Sequence, residues 1–288
     1  MNSQPKINTN PLSMYMRQPK LYIRLPSNGE FWTTGSLDIT ESGEYPVYSM
    51  TAKDELMLKI PDALINGQAI VDVIQHCIPN IKNAWAIPSI DLDVILIAIR
   101  IATYGEKMTI PVTRKKVEAE YEADLRYVLG ELQEKITWDT YVQINPELIV
   151  HVRPVNYKQI SASSVKTFET QRIIEMASNS SMNDQEKAKT FKDALDKLND
   201  ITVGIVNNSV FKIETPAGVI DNVQHIREFM DNVDKEIFDT VKKHVERLRD
   251  HNNIKPLQVQ PTQEMIDAGV EDEAIEVPLV FDPTTFFA

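Results

Sequence analysis

One stretch constrains the fold of this 288-residue chain more than any other. Between Ser89 and Gly105 the residues Ile90, Leu92, Val94, Ile95, Leu96, Ile97, Ile99 and Ile101 leave a helix apolar on nearly every side. A helix of that kind has no solvent face, so it must be the buried centre of a domain with other elements wrapped around it. The run falls short of the ~18 apolar residues that a membrane span needs and carries Asp91, Asp93 and Arg100, so a soluble core is expected and a membrane role is not.

The flanking segments supply the wrapping. Pro5, Pro11 and Pro19 lie among polar residues and read as an extended arm over residues 1–25 that ends in a strand, Leu21 to Leu25. Pro26, Ser27, Asn28 and Gly29 form a turn, followed by the aromatic pair Phe31 and Trp32 and a second strand from Tyr45 to Ser49. Thr51 with Asp54 three residues on is an acidic variant of a capping box and opens a helix over Ala52 to Leu58. Apolar residues at helical spacing predict another helix from Asp62 to about Ile78. After the central helix come two strands, Met108–Thr113 and Val117–Tyr121, around the basic turn Arg114, Lys115, Lys116; then a helix over Ala123–Leu132, and a strand pair, Ile136–Ile144 and Leu148–Val152.

Beyond Tyr157 roughly a hundred residues hold two glycines and one proline and are rich in Lys, Glu, Asp and Asn, which reads as a helical region. Asn183 with Glu186 is a capping box ahead of a stripe of Phe191, Leu195, Leu198, Ile201 and Ile205; a later helix carries Ile237, Val241, Val245 and Leu248 on one face. Such stripes pack within the chain as a bundle or across chains as an interface. The last residues return to strand-like texture at Leu257–Gln260 and Ala274–Phe281, with a short helical or loop insert near Met265–Gly269. The expected fold is therefore α+β and predominantly helical. An arm (1–25) precedes a mixed domain with small hairpins (26–155), a helical region (156–252) and a short β-like tail (253–288).

Charge and motif content narrow the function. A formal charge of −12 repels a phosphate backbone, so nucleic acid is a poor partner. The single cysteine, Cys77, excludes an intramolecular disulfide and any site of several thiolates, and reads as a small core residue. A polar start from Met1 to Pro11 shows no secretory signal, so the chain is expected to stay in the cytoplasm where it is made. The phosphate-binding, dinucleotide, zinc-protease and nucleophile-elbow motifs are absent. Asp91 with Asp93 is the best residual candidate for chemistry, as a divalent-metal or acid/base pair, yet positions i and i+2 diverge on a helix. The plainer reading has both acids favouring the positive helix end. His76 beside Cys77 diverges likewise, His225, His244 and His251 read as solvated, and the basic turn reads as a solvated edge. No catalytic residue, cofactor or metal ligand is assigned.

An ordered series of motifs carries a resemblance. Leu25-Pro26-Ser27-Asn28-Gly29, then Pro46-Val47-Tyr48-Ser49-Met50-Thr51-Ala52-Lys53-Asp54-Glu55, then Asp91-Leu92-Asp93 leading to Arg100 and Tyr104-Gly105, resembles the baseplate hub proteins of T4-like contractile-tailed phages. The terminal Phe281-Asp282-Pro283-Thr284-Thr285-Phe286-Phe287 is similar to that family's end. The likeness covers about the first 155 residues and the last dozen, while the helical middle matches only in general character. It implies a non-enzymatic protein that builds the central hub by binding other hub proteins, in the host cytoplasm during assembly and in the virion tail if it stays. The alternative is a transient assembly chaperone that is missing from the finished particle. A metal-dependent hydrolase using Asp91 and Asp93 is the further alternative. Interaction residues expected from the motifs are Pro26, Gly29, Tyr48, Met50, Arg100, Phe281, Asp282, Phe286 and Phe287, with self-association through the helical region also open. Relatives often carry a CxxC pair resembling a zinc ribbon before the closing segment. This chain has no cysteine from Gln258 to Pro278, so Val259, Ile275, Val277 and Leu279 must hold that hairpin by packing.

Overall fold

A computed structural model describes residues 11–60, 67–134, 138–179 and 183–279. The central helix (α3, Ser89–Tyr104) buries twelve of its residues, and Val94, Ile95, Ile97, Ala98 and Ile99 are fully enclosed. Strand β1 (Pro19–Arg24) pairs antiparallel with β2 (Glu44–Tyr48), and the inward residues Ile23, Tyr45 and Val47 alternate onto α3 as a two-residue period requires. Helix α1 (Ala52–Leu58) starts on the expected capping box: the Thr51 backbone and hydroxyl donate to Asp54 at 2.7 and 2.8 Å, and the Asp54 amide returns a bond to the hydroxyl. Helix α2 (Gln68–Cys77) adds Ile70, Val73, Ile74 and Cys77 to the same core; the first part of the expected 62–78 helix lies outside the described residues. Gly67 at its N-cap has φ +78°, and a Cβ there would fall 2.7 Å from Ser161 Oγ, so this close approach of chain to chain requires glycine.

Strands β3 (Lys107–Arg114) and β4 (Val117–Asp124) form a hairpin closed by Lys115 and Lys116, both at positive φ as a two-residue primed turn demands. Because β4 runs on through Ala123 and Asp124, the following helix α4 (Leu125–Glu134) begins two residues later than the sequence suggests. The tail comes back to this hairpin. Strands β9 (Leu257–Val259) and β10 (Ile275–Val277) pair around a short helix α9 (Gln263–Asp267), and Met265 and Val277 pack with Val112 in a separate apolar cluster. Tyr121 donates to Gln260 O at 2.9 Å and Lys115 donates to Gly269 O, so the basic turn is a contact and not a solvated edge throughout. Val259 opposes Ile275, as packing in place of thiolates requires.

A second core forms beside the first. Strands β5 (Tyr141–Asn145) and β6 (Leu148–Val152) are continued by β7 (Val210–Thr215) and β8 (Gly218–Ile220) into a four-stranded antiparallel sheet that takes strands from both sides of Arg153. The β7–β8 hairpin corrects the reading of 156–252 as helical throughout. The lysine- and aspartate-rich helices around it masked the β-rich segment Val210-Phe211-Lys212-Ile213-Glu214-Thr215 and the turn at Pro216-Ala217-Gly218. Strand β5 starts at Tyr141 and not near 136; Ile136 lies outside the described residues. Helices α7 (Val223–Asn232) and α8 (Lys235–Asn252) cover the sheet through Ile226, Met230, Val241, Val245 and Leu248. The two longest helices, α5 (Tyr157–Asn179) and α6 (Asp184–Ser209), pack against each other as an antiparallel pair, and α6 opens on the Asn183–Glu186 capping box. Helix makes up about 51% and strand about 22% of the described residues, a predominantly helical α+β fold.

Candidate interaction surface at the two ends of the central helix

The motif residues gather at opposite ends of α3. At its start, Asp91 is fully buried and accepts three hydrogen bonds from the turn after β1: Ser27 N–H at 2.8 Å, the Ser27 hydroxyl at 2.5 Å and Trp32 Nε1–H at 2.7 Å. This clasp, which the sequence reading did not find, ties the Leu25–Gly29 motif to the Asp91 motif. Tight turns fold the loop onto it, with Asn28 N–H on Leu25 O at 2.9 Å and Glu30 N–H on Ser27 O at 2.8 Å. Asn28, Gly29 and Phe31 all take positive φ; a phenylalanine at φ 64° is strained by about 1–3 kcal/mol and is held there by the bonds on either side. Pro26 and Gly29 are half-buried on this turn.

Burial pushes the Asp91 carboxyl up to about 6 even though its three donors pull the other way. Asp93 is likewise pushed up to about 6 by burial, with no donor opposing it, and lines a cavity of about 490 Å³ between α3, α5, α6 and α8. The two acids thus face different surroundings, and Asp91 is spent on Ser27 and Trp32. Among the described residues no group of three or more His, Cys, Asp or Glu side chains is placed to hold a metal ion.

At the other end of α3 lies a second polar cluster. Met50 is buried, and its N–H donates to Thr103 Oγ1 at 3.0 Å. The half-buried Tyr48 ring sits under the Arg17 guanidinium, 5.5 Å from it, while Arg17 also donates to Ser49 O and His76 O at 2.6 Å each. His76 Nδ1 lies 2.7 Å from Asp54, so its partner is the capping-box acid and not Cys77. Burial alone would raise the Asp54 pKa, but the bonds from Thr51 and His76 hold it below the usual carboxylate range. Cys77 is fully enclosed, and burial pushes its thiol up to about 12. Arg100 is 8% exposed and its guanidinium stacks 4.5 Å from the Tyr104 ring, yet its Nε and Nη1 have no hydrogen-bond partner among the described residues. Its pKa is lowered by burial. A buried guanidinium with two unanswered donors is a costly arrangement for the chain alone.

Of the expected interaction residues, then, Pro26 and Gly29 share one end of α3, and Tyr48, Met50 and Arg100 the other; Phe281, Asp282, Phe286 and Phe287 lie outside the described residues. Three polar contacts were not foreseen from the sequence. Trp32 is the anchor of the clasp. His151, half-buried on β6, faces Glu214 at 3.0 Å and is flanked by Tyr141 and Phe211. His244, expected to be solvated, meets Asp139 O at 2.9 Å and Arg247 at 2.9 Å.

A family model for T4 bacteriophage base plate protein matches residues 16–258. The chain belongs to that family. The match runs through both cores and the helical pair between them, further than the first 155 residues that carry the recognisable motifs, and stops before the closing aromatic segment. Comparisons with curated proteins and with solved structures give no match. Membership implies a structural role in a phage baseplate, contact with other baseplate proteins and a place in the virion tail. None of the helices among the described residues is long and apolar enough to cross a membrane.

Proposed function

We propose that this base plate protein is a non-enzymatic subunit of the central hub, binding other hub proteins through the surface around the C-terminal end of α3 and through its helical region, where it also self-associates. The observation that carries the reading, beyond family membership, is Arg100. Its Nε and Nη1 have no hydrogen-bond partner among the described residues, and a small shift of this side chain would carry those donors to acceptors that a neighbouring protein brings against the end of α3. The clasp at the other end supports binding over chemistry, since Asp91 is already committed to three donors and Asp93 does not share its site. The partition into an arm, a mixed domain, a helical region and a tail belongs to the same proposal, with the tail's Phe281, Asp282, Phe286 and Phe287 as further contact residues.

The test is co-expression of the chain with candidate hub proteins, isolation of what co-purifies, and quantitative mass spectrometry of purified tails beside the infected-cell lysate. Fixed stoichiometry in tails is the expected result. Co-purification from lysate with absence from tails would make the chain an assembly chaperone, and capture of no hub protein would sink the hub reading.

A further inference from the structure

Helices α5 and α6 are thinly packed for their length. Among the described side chains, α5 buries only Tyr157, Thr170 and Ala177, and α6 only Ala194, Val206 and Ser209, whereas α3 buries twelve. Phe168, Met176, Leu195 and Val203 are left exposed on the pair. A groove of about 570 Å³ runs between the two helices, lined by half-buried Ser163, Ile173, Ile201 and Gly204. Its rim carries exposed charges of both signs, Lys158, Lys166 and Lys197 with Glu169 and Asp200.

Gly204 is the odd residue in that groove. It sits inside α6 at ordinary helical φ, and among the described residues a Cβ built on it meets no atom within 4 Å beyond its own stretch of helix, so no described neighbour calls for the least helix-favouring residue short of proline. Charge then selects the occupant. The chain as a whole carries −12, but the stretch from Tyr157 to Ser209 holds seven basic and seven acidic residues. Within it α5 is net +1 and α6 net −1. A like copy is repelled over most of this surface and not here, and an antiparallel, two-fold arrangement sets α5 of one copy against α6 of the other with opposite signs facing. The size fits as well: helices of 23 and 26 residues reach roughly 35 Å, and a pair about 20 Å wide offers on the order of 700 Å² per copy, near the ~800 Å² of a stable interface.

We infer that the α5–α6 groove is the self-association surface of this chain, and that it is filled by the same helical pair of a second copy. The inference rests on the reading of the helical region as an interface and names its partner. Gly204→Gln tests it, because the side chain enters open space in one copy, improves the helix and blocks the groove. Sedimentation of the full chain over a concentration series should show a reversible dimer that Gly204→Gln weakens by roughly tenfold or more, with the melting temperature of the variant equal to or above that of the wild type. A wild type that stays monomeric across the range, or a variant that dimerises as tightly as the wild type, overturns it. Co-purification with hub proteins is scored on the same preparations. A monomer that still captures them removes the self-association and leaves the hub reading; a dimer that captures none does the reverse.

Discussion

Asp91→Asn is the substitution that probes the link between the two principal motifs most directly. Asparagine keeps one acceptor oxygen for the Ser27 N–H, and the Ser27 hydroxyl can turn to accept from the new amide. Trp32 Nε1–H cannot accept anything and loses its partner. An orphaned, partly buried donor costs about 1–3 kcal/mol, which sets the deficit of the variant near pH 4. The dependence on pH carries the sharper information. The Asp91 carboxyl is held at about 6 in the folded chain against an ordinary value of 3.8, so between those values the folded state binds a proton that the unfolded state has released. Stability from this group is therefore full below the ordinary value and is lost as pH rises through about 6, by roughly 3 kcal/mol in all. Asparagine does not titrate. Urea unfolding of both proteins from pH 4 to pH 7.5 should show the variant's deficit shrinking with pH by about that amount, other titrating groups cancelling in the difference. Asp93→Asn, which lacks the three donors, should remove a similar slope with little deficit at pH 4. If the Asp91→Asn deficit is flat or grows toward neutral pH, the three donors outweigh burial and the account of the clasp is wrong.

The other expectations are simpler. Thr51→Ala should lower unfolding free energy by about 1 kcal/mol, read from denaturant midpoints, because it removes the α1 cap. Arg100→Met should stabilise the free chain by roughly 1–3 kcal/mol by removing unanswered buried donors, while hub proteins cease to co-purify; a destabilised variant that still binds would count against Arg100 as a contact residue. Met265→Ala should cost about 2–5 kcal/mol, since this fully enclosed side chain holds the 257–277 unit on the β3–β4 hairpin, and limited proteolysis should then cut first in that unit.

Legibility in the sequence followed how local the determinant is. The all-apolar helix, the two capping boxes at Thr51 and Asn183, and the β3–β4 hairpin were readable because period and cap chemistry lie within a few residues of one another. The β7–β8 hairpin was not, because β7 gains its stability from β6, sixty residues earlier, and its own six residues sit among strong helix formers. The candidate site shows the same division. Ser27, Trp32 and Asp91 were each visible in sequence, but the bonds among them span 59 to 64 positions, and no spacing rule reaches that far. An acid at the start of a helix reads as a partner of the helix end, and only the fold reveals that the turn after β1 supplies its donors instead.

That division also bears on where binding energy can come from. Apart from Arg100, the first core is closed by the chain itself: α3 is enclosed, Asp91 anchors one end and Thr103 bonds Met50 near the other. Among the described residues, the groups that the chain alone leaves open include the Arg100 donors and the apolar surface and open glycine of the α5–α6 pair. A protein that only had to fold would gain stability by losing each of them, through Met at 100 or Ala at 204. On the proposed reading those groups are answered in the assembled baseplate rather than in the free chain, at the C-terminal end of α3 and along the α5–α6 pair.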